Sequence, residues 1–302
     1  MIKTVMRVLV TPLTQAVALA RGVKIMLRAA RVWLSDNKSN AYKPSNDNNS
    51  KQTSAHTAPP KPVAVSIIIP LLNEADNLSQ LIPHVATLNP SPHQVILVDG
   101  GSIDGSVTVA KKVIKGLIED RQLSIEWQVI ESATGRAMQM NTGAAVATGD
   151  TLLFLHADTK LPNNAITEMV QAMSHYSGQY EWGRFDVRLD SRNPMLWLVG
   201  VMINTRSRVT GIATGDQAIF IKKSLFEQVN GYPHQPLMED IALCKLLKNV
   251  VRPACLHHKV TTSARRWQQY GTWRTIILMW HLRFDYWRGV SPKELKQRYY
   301  NN

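Results

Sequence analysis

A histidine and an aspartate follow a short apolar run in the middle of the chain. The run Leu152–Leu155 is followed directly by His156 and, two residues later, by Asp158. Such a run is typical of a strand buried on both faces of a parallel sheet, and open α/β sheets bind ligands at the carboxyl ends of these strands. A carboxylate there can hold a hard cation whose coordination is completed by substrate phosphates. The pattern predicts a phosphate-handling metal site at Asp158 and His156, with a turn or a helix cap as the alternative.

Two other predicted strands also end in polar residues. One apolar run is followed by Asn73 and Glu74, and the next by Asp99 and, within a glycine-containing loop, by Asp104. Parallel strands deliver their carboxyl ends to one edge of a sheet, so these side chains should lie near the predicted metal site. Acids around such a loop fit a nucleotide whose ribose and base need acceptors and whose diphosphate needs a metal. The chain has neither a P-loop nor a G-x-G-x-x-G motif, which excludes those two phosphate cradles.

Strands and helices alternate along the central part of the chain. This alternation predicts an α/β fold with a mostly parallel central sheet, right-handed crossovers and helices on both faces. The predicted strands are 65–70, 94–98, 126–132 and 152–155, and the predicted helices are 77–88, 106–115, 136–146, 163–174 and 237–247.

The basic charge of the chain is concentrated at its two ends. Of the net charge of +13, residues 1–35 contribute six Lys or Arg with no acid, and residues 257–302 contribute nine with two acids. Residues 36–256 are neutral overall, and no nucleic-acid-binding module is recognisable, so we expect no nucleic acid partner. Basic ends rich in apolar residues instead indicate a membrane surface. The two cysteines, Cys244 and Cys255, give no disulfide framework, which favours a reducing cytosol.

The composition divides the chain into four parts. Residues 1–35 have apolar residues three and four apart with basic residues between them, which predicts a basic amphipathic helix. Three alternatives are open for it: a helix at a membrane interface, a helix packed on protein, or a signal peptide. Residues 36–63 are rich in Asn, Ser, Lys, Thr and Pro and are predicted to be a disordered linker. Residues 64–256 form the main α/β domain, and residues 257–302 form a basic, aromatic helical region.

The C-terminal region carries an aromatic stripe. Its members recur at intervals of three and four and are Trp267, Tyr270, Trp273, Ile277, Trp280, Phe284 and Trp287. Three arginines, Arg274, Arg283 and Arg288, lie among them. Such a stripe suits either a membrane interface or packing against the sheet, and both interpretations are kept.

Six stretches resemble, in order, the motifs of the family 2 glycosyltransferases, inverting enzymes with the GT-A nucleotide-diphospho-sugar fold. They are SIIIPLLNEADNL (66–78), VILVDGGSIDGS (95–106), GRAMQMNTGAAVATGDTLLFLHADTKLP (135–162), GDQAIFIKKSLFEQVNGY (215–232), MEDIALCKLLK (238–248) and SARRW (263–267). The HADT, GDQAIF and SARRW variants further resemble a bacterial subgroup described as associated with radical-SAM/selenocysteine-domain proteins or with arsenosugar synthesis. The resemblance implies the GT-A fold for residues 64–256 and transfer of a sugar from a nucleotide diphosphate.

The resemblance also implies roles on the donor side. Asp99 matches the acid that contacts base and ribose, and Asp158 matches the last Asp of the metal-binding D-x-D motif. His156 stands where the first Asp is usual. Because imidazole ligates Mn²⁺ better than Mg²⁺, either Mn²⁺ is preferred or the metal rests on Asp158 alone. The implied nucleotide-sugar-binding residues are Pro70, Asn73, Glu74, Asp99, Asp104 and Arg136.

Glu239 and Asp240 match the ED pair of the family, in which Asp240 is the general base. An acceptor hydroxyl is a poor nucleophile until its proton is removed, and a positioned carboxylate accelerates this by a factor of about 10² to 10⁴. Both acids also lie in the first turn of a predicted helix, so an interaction with the helix dipole is the alternative.

Three further residues are expected on the acceptor or diphosphate side. Asp216 precedes an apolar strand pattern. It is expected to line the acceptor side, with a place in an ordinary turn as the alternative. Arg266 and Trp267 resemble the end of the Q-x-x-R-W motif of processive members, although Ser263 replaces the Gln, which weakens any expectation of processivity. Arg266 is expected to hold the diphosphate bidentately and Trp267 to stack on a sugar or base, with a basic surface turn as the alternative.

Taken together, the residues and the resemblance predict an inverting, metal-dependent glycosyltransferase that uses Mn²⁺ or Mg²⁺. The donor is expected to be a UDP-type sugar. The acceptor is expected to carry a hydroxyl group, and a lipid-linked compound is one candidate. The predicted location is the cytoplasm, peripheral on the inner face of the plasma membrane. Two alternatives are a membrane-tethered nucleotide-sugar-binding protein without catalysis and a nucleotidyltransferase on the same fold.

Overall fold

Four parallel strands form one half of the central sheet. The computed structural model describes residues 63–121, 124–174 and 180–300. The parallel strands are β1 (Val65–Leu71), β2 (Gln94–Asp99), β3 (Glu126–Glu131) and β4 (Thr151–Phe154), in the order β3-β2-β1-β4. The four strands predicted at 65–70, 94–98, 126–132 and 152–155 are thus confirmed.

The other half of the sheet is mixed. Its strands are β5 (Thr159–Lys160), β6 (Trp182–Asp190), β7 (Ile219–Lys222) and β8 (Ala254–Ser263). The order continues from β4 as β7-β6-β8-β5, with β7 antiparallel to both β4 and β6, β6 parallel to β8, and β8 antiparallel to β5. The predicted mostly parallel sheet is confirmed, since four of the seven strand pairings in the described residues are parallel, but β6 and β8 were not predicted.

Helices cover both faces of this sheet, as predicted. They are α1 (Ala75–Ala86), α2 (Ser106–Arg121), α3 (Arg136–Val146), α4 (Ala165–Ser174), α5 (Pro194–Thr210), α6 (Lys223–Gln228), α7 (Glu239–Lys248), α8 (Arg265–Tyr270), α9 (Thr272–Trp287) and α10 (Pro292–Tyr300). The start of α5 illustrates the local control, since the Asn193 side chain accepts a hydrogen bond from the Met195 N–H and Pro194 occupies the first turn. None of the helices in the described ranges is long and apolar enough to cross a membrane.

Alternate residues of the central strands feed two separate cores. Ile67 and Ile69 of β1 pack into the core on one face of the sheet, whereas Ile68 packs into the core on the other. Burying an aliphatic side chain of this size contributes about 1.5 to 3 kcal/mol. Helix α3 lies so close to the second face that a Cβ at Gly143 would come within 2.6 Å of the Ile68 side chain. This close approach sets the distance of α3 from β1 and β2.

The C-terminal helices pack against the α/β body rather than away from it. Ile276 of α9 shares an apolar cluster with Leu196 of α5, and Leu295 of α10 shares another with Met238, the N-cap residue of α7, and with Ile241 of α7. The described residues 63–207 and 211–300 belong to one compact unit.

The predicted domain boundaries fall partly outside the described residues. The N-terminal helix, residues 1–35, and all of the linker 36–63 except Val63 lie outside them. The boundary predicted at residue 256 lies inside β8, so residues 257–263 are sheet and the helical region begins at Arg265.

Candidate active site

Asp99 ends β2 and is almost fully buried, with 4% of its surface exposed. One carboxylate oxygen, Oδ2, accepts hydrogen bonds from the N–H groups of Gly101 and Ser102, both at 3.0 Å. No hydrogen-bond donor among the described residues reaches the buried Oδ1. A buried carboxylate oxygen without a partner is costly, so Oδ1 is suited to a donor group on a ligand.

Asn73 and Asp104 join the loops that follow β1 and β2. The Asn73 Oδ1 accepts a hydrogen bond from the Ile103 N–H at 2.9 Å, and Asn73 has a left-handed backbone with φ of 56°. The Asp104 Oδ1 accepts from the Ser106 N–H at 2.9 Å, and its Oδ2 accepts from the Ala75 N–H at 3.0 Å. Hydrogen bonds from the Ser106 hydroxyl and the Ala75 N–H lower the pKa of Asp104. Asp104 therefore holds the starts of α1 and α2 together, a role that the sequence pattern did not indicate.

Glu74 lies beside this junction and is half-buried. Pro70, which precedes it in β1, pairs in register with Val98 and is buried in the sheet. The backbone N–H of Glu74 donates to the Ser106 hydroxyl at 2.9 Å. Burial raises the pKa of Glu74, a hydrogen bond from Asn77 lowers it, and the charge of Asp158 raises it further. Glu74 and Asp158, from different strand ends, thus lie close enough to interact.

Asp158 lies between positive and negative side chains. Burial raises its pKa, the charge of Arg136 opposes that rise, and the charge of Asp216 adds to it. Its Oδ1 accepts one hydrogen bond, from the Thr159 hydroxyl at 3.3 Å. The structure therefore brings Asp158, Asp216 and Arg136 together from three separate segments.

Arg136 begins α3, which is anchored to the strand ends. The Gln139 Nε2 donates to the carbonyl oxygens of Leu71 at 2.6 Å and Val98 at 2.8 Å. Desolvation lowers the pKa of Arg136, but the charges of Glu239 and of nearby groups outweigh this effect and raise it overall. Arg136 is therefore a positive charge that interacts both with Asp158, the predicted metal ligand, and with the ED pair.

His156 is neutral at physiological pH. Burial, with a smaller contribution from the charge of Arg136, lowers its pKa to about 3. The ring lies against the backbone of Gly215, in the short 3₁₀ turn Gly215–Gln217 before β7.

The ED pair begins α7. The Asp240 Oδ2 accepts a hydrogen bond from the Gly215 N–H at 2.9 Å, and its Oδ1 accepts from the Ile241 N–H at 2.7 Å. Burial raises the pKa of Asp240, while these two hydrogen bonds and the charge of Arg283 oppose the rise. Burial, followed by the charge of Asp240, raises the pKa of Glu239 to about 7. Asp240 thus lies in the first turn of α7 and is held by the loop next to His156, whereas the N-cap residue Met238 makes no side-chain cap hydrogen bond.

Asp216 interacts both with Asp158, the predicted metal ligand, and with Asp240 of the ED pair. Its negative charge raises the pKa of both Asp158 and Asp240. Its Oδ1 is buried and has no hydrogen-bond partner in the part of the chain that the structure describes. Asp216 is therefore a shared neighbour of both predicted sets of acids.

Two arginines that the sequence pattern did not indicate face these acids. Arg206 comes from α5 and Arg283 from α9, and the charges of Asp216 and Asp240 favour the protonated form of each. Burial, followed by the charge of Arg283, lowers the pKa of Arg206 to about 9. The sequence places Arg283 within the aromatic stripe, and only the docking of α9 brings it next to Asp216 and Asp240.

Arg266 and Trp267, the two predicted site residues of the SARRW motif, have different surroundings. Arg266 lies against α10, with its guanidinium carbon 3.7 Å from the centre of the Tyr299 ring. Trp267 is half-buried and packs against the cluster that includes Leu189 and Leu196. Stacking of Trp267 on a sugar or base stays a prediction.

The carboxylates of Asp158 and Asp216 are suited to a cation that is also bound by a substrate. Asp158 and Asp216 offer carboxylate oxygens, one of them buried and unpartnered, and a hard cation is often bound by one or two carboxylates with substrate phosphates. Within residues 63–121, 124–174 and 180–300, no group of three or more His, Cys, Asp or Glu is arranged to hold an ion. The side chains therefore do not form an all-protein metal cage.

This sheet, with acids gathered at the ends of its parallel strands, defines the GT-A class of glycosyltransferase folds. The Glycosyl transferase family 2 model matches residues 66–226, more than half of the chain, and the chain belongs to that family. The predicted family and fold are thus confirmed.

Solved structures agree with this fold. Residues 1–349 of TarS from S. aureus, in complex with UDP, superpose with a TM-score of 0.52 at 16% identity, covering 66% of this chain and 60% of that fragment. The mannosyltransferase PcManGT of Pyrobaculum calidifontis in complex with GDP-Man and Mn²⁺ gives 0.57 at 19% identity, covering 85% of this chain and 71% of that one.

Curated relatives match shorter parts. A PGL/p-HBAD biosynthesis glycosyltransferase of Mycobacterium tuberculosis is 30% identical over 171 residues, 55% of this chain and 62% of the relative. The glycosyltransferase AglE of Haloferax volcanii is 33% identical over 102 residues, 31% of this chain and 30% of AglE. The chain therefore spans less than two thirds of the length of these relatives.

Proposed function

We propose that this protein is an inverting glycosyltransferase that moves a sugar from a nucleotide diphosphate to an acceptor hydroxyl. The observation that carries the proposal is the position of Asp216, whose charge acts on Asp158 on the donor side and on Asp240 at the start of α7. Carboxylates from separate segments thus meet in one region at the ends of the strands. Family membership supports sugar transfer and gives no support to the nucleotidyltransferase alternative.

Asp240 acts as the general base in this proposal. Its carboxylate removes the proton of the acceptor hydroxyl as the oxygen forms a bond to the anomeric carbon. The bond from that carbon to the diphosphate breaks on the opposite face, so the configuration inverts and the nucleoside diphosphate leaves with the electron pair. The Gly215 N–H fixes the carboxylate, and Arg283 favours its ionised form.

The donor side is assigned to the strand ends. Asp99, with its unpartnered Oδ1, accepts from the ribose or base, and Arg136 and Arg266 provide positive charge for the diphosphate. Asp158, with Asp216 and His156 nearby, would hold Mn²⁺ or Mg²⁺, which stabilises the negative charge of the departing diphosphate. A UDP-type donor remains the first expectation, since one fold neighbour binds UDP and another binds GDP-Man with Mn²⁺.

A location on the cytosolic face of the plasma membrane is part of the proposal. The outer face of α9 supports it, because Trp273, Phe284 and Trp287 are each more than half exposed. Exposed aromatic residues near arginines suit the bilayer interface. A lipid-linked acceptor is consistent with that location. The narrower relation to the radical-SAM- or arsenosugar-associated subgroup stays a prediction from the HADT, GDQAIF and SARRW variants.

The test compares wild type with Asp240→Asn, using UDP-, GDP- and dTDP-sugars with and without Mn²⁺. We expect the variant to lose transfer and acceptor-independent donor hydrolysis by at least about 10²-fold while its affinity for the nucleoside diphosphate stays within a few-fold. Wild-type turnover by Asp240→Asn would show that the base assignment is wrong. Donor binding by wild type without any turnover would support the alternative of a binding protein without catalysis.

A further inference from the structure

The C-terminal helix α10 places the aromatic ring of Tyr299 against Arg266, the second arginine of the SARRW motif. The Arg266 guanidinium carbon lies 3.7 Å from the ring centre of Tyr299, which is within the range of a cation–π contact. The same guanidinium donates a hydrogen bond through Nη2 to the Tyr299 carbonyl oxygen at 3.3 Å. A second ring, that of Tyr270, lies 5.4 Å from Arg266. Tyr299 therefore holds Arg266 through both its ring and its backbone.

This contact depends on firm anchoring of α10. Leu295 is fully buried among residues that include Met238 and Leu282. Arg298 forms ion pairs with Asp285 of α9 at 2.6 Å and with Glu294 at 2.5 Å. The helix is thus fixed at its apolar centre and near its end, so the Tyr299 ring has a defined position.

Tyr299 also borders the candidate active site. Burial raises the pKa of its hydroxyl, while the charges of Arg266 and Arg136 oppose the rise and that of Asp216 adds to it. These three charged residues belong to the predicted diphosphate and metal region. The C-terminal helix therefore reaches the place where the donor diphosphate is proposed to bind.

We infer that Tyr299 is a positioning residue, which orients Arg266 so that the guanidinium edge faces the diphosphate of the donor. Stacking covers a face of the guanidinium plane, and the N–H groups lie in that plane, so the remaining donors stay available to phosphate oxygens. The ring also reduces the number of orientations that a long arginine side chain must give up on binding. This inference rests on the proposed function, because it names a part of the same donor site.

The test measures binding of UDP and GDP, with uridine and guanosine as matched ligands that lack phosphate, to the full chain in the presence of Mn²⁺. Tyr299→Ala should weaken binding of the preferred diphosphate about tenfold and leave nucleoside binding unchanged. Tyr299→Phe keeps the ring and the carbonyl and should bind within about twofold of wild type. In an Arg266→Ala background, Tyr299→Ala should have little further effect, because its action passes through Arg266.

Three results would overturn the inference: wild-type diphosphate affinity in Tyr299→Ala, an equal loss in the Arg266→Ala background, or failure of Tyr299→Phe to restore binding. A purely structural role would give the second result, because loosening of α10 does not require Arg266. If wild type binds neither diphosphate, the proposed function fails together with the inference. If wild type binds one of them and Tyr299→Ala binds it equally well, only the inference fails.

Discussion

The imidazole of His156 lies so close to Gly215 that a Cβ at residue 215 would sit 2.3 Å from its Nε2. The Gly215 N–H in turn donates to the Asp240 Oδ2 at 2.9 Å. The histidine that replaces the usual first acid of the metal motif thus supports the loop that holds the proposed base. Since only glycine leaves room for this ring, residues 156 and 215 form a matched pair.

The first prediction concerns Gly215→Ala. The added methyl group must displace the ring or the loop, so we expect the free energy of unfolding to fall by about 1 to 3 kcal/mol, measured by denaturant titration. Transfer activity should fall as well, because the hydrogen bond to Asp240 shifts. Gly116→Ala is the matched control, since a Cβ at that helical position meets no atom within 4 Å. It should be neutral or stabilising by up to about 1 kcal/mol.

A second-site change makes this prediction specific. His156→Ala removes the clashing ring, so the double variant should be more stable than the sum of the two single losses predicts. If Gly215→Ala is as stable as wild type, or if the two losses simply add, the contact does not constrain the loop.

The second prediction concerns the buried Glu239, whose pKa of about 7 lies above its ordinary value of 4.5. Between these values the folded state keeps a proton that the unfolded state releases, so this residue makes stability fall as pH rises from about 4.5 to about 7. Glu239→Gln removes this effect. Its free energy of unfolding should exceed that of wild type by up to about 3 kcal/mol at pH 8 and differ little from it at pH 4. Denaturant unfolding at several pH values measures it. Parallel pH profiles for the two proteins would contradict the assignment.

Most of the parallel half of the fold could be predicted because β1, β2 and β4 are apolar runs that are buried along their whole length, whereas β3 is partly exposed. Strand β6 could not, because Arg184 and Asp186 interrupt its pattern with charges. In the structure both side chains are buried and form an ion pair, and Arg184 also donates to the Asn204 carbonyl oxygen. A sequence pattern does not reveal which charges will find buried partners. Strand β8 has a similar difficulty, since its middle carries His257, His258 and Lys259.

The site shows the same division between local and long-range information. Asp99 and Asp158 lie at or after the ends of parallel strands, so their position at the same edge of the sheet could be predicted from the alternation of elements. Arg283 and Tyr299 reach the site only because α9 and α10 dock on the body, and nothing in their local spacing indicates that contact. The hydrogen bonds by which Asp104 joins the starts of two neighbouring helices could not be predicted either, because they depend on how the loops after β1 and β2 meet.

The third prediction concerns Arg283, whose positive charge favours the ionised form of Asp240. In Arg283→Gln the pKa of Asp240 should rise further, since burial and the charge of Asp216 are no longer opposed by the arginine. The acidic limb of the kcat/KM profile should therefore move to higher pH, while the basic limb stays in place. Arg252→Gln, a change at an exposed arginine before β8, is the control and should leave the profile unchanged. An unshifted acidic limb in Arg283→Gln would show that Arg283 does not tune the base.

The fourth prediction concerns the outer face of α9, where Trp273, Phe284 and Trp287 are 51%, 54% and 75% exposed. Replacing all three by Ser should reduce binding of the full chain to anionic lipid vesicles by about tenfold or more, because the interface gains most from aromatic surface next to arginines. Vesicle sedimentation measures this, and Ile118→Ser removes exposed apolar surface from α2 as the matched control. The folded body of the triple variant should stay intact, since the buried side of α9 keeps Ile276 and Leu282. Equal binding by wild type and triple variant would assign any membrane contact to another part of the chain and leave this face without a membrane role.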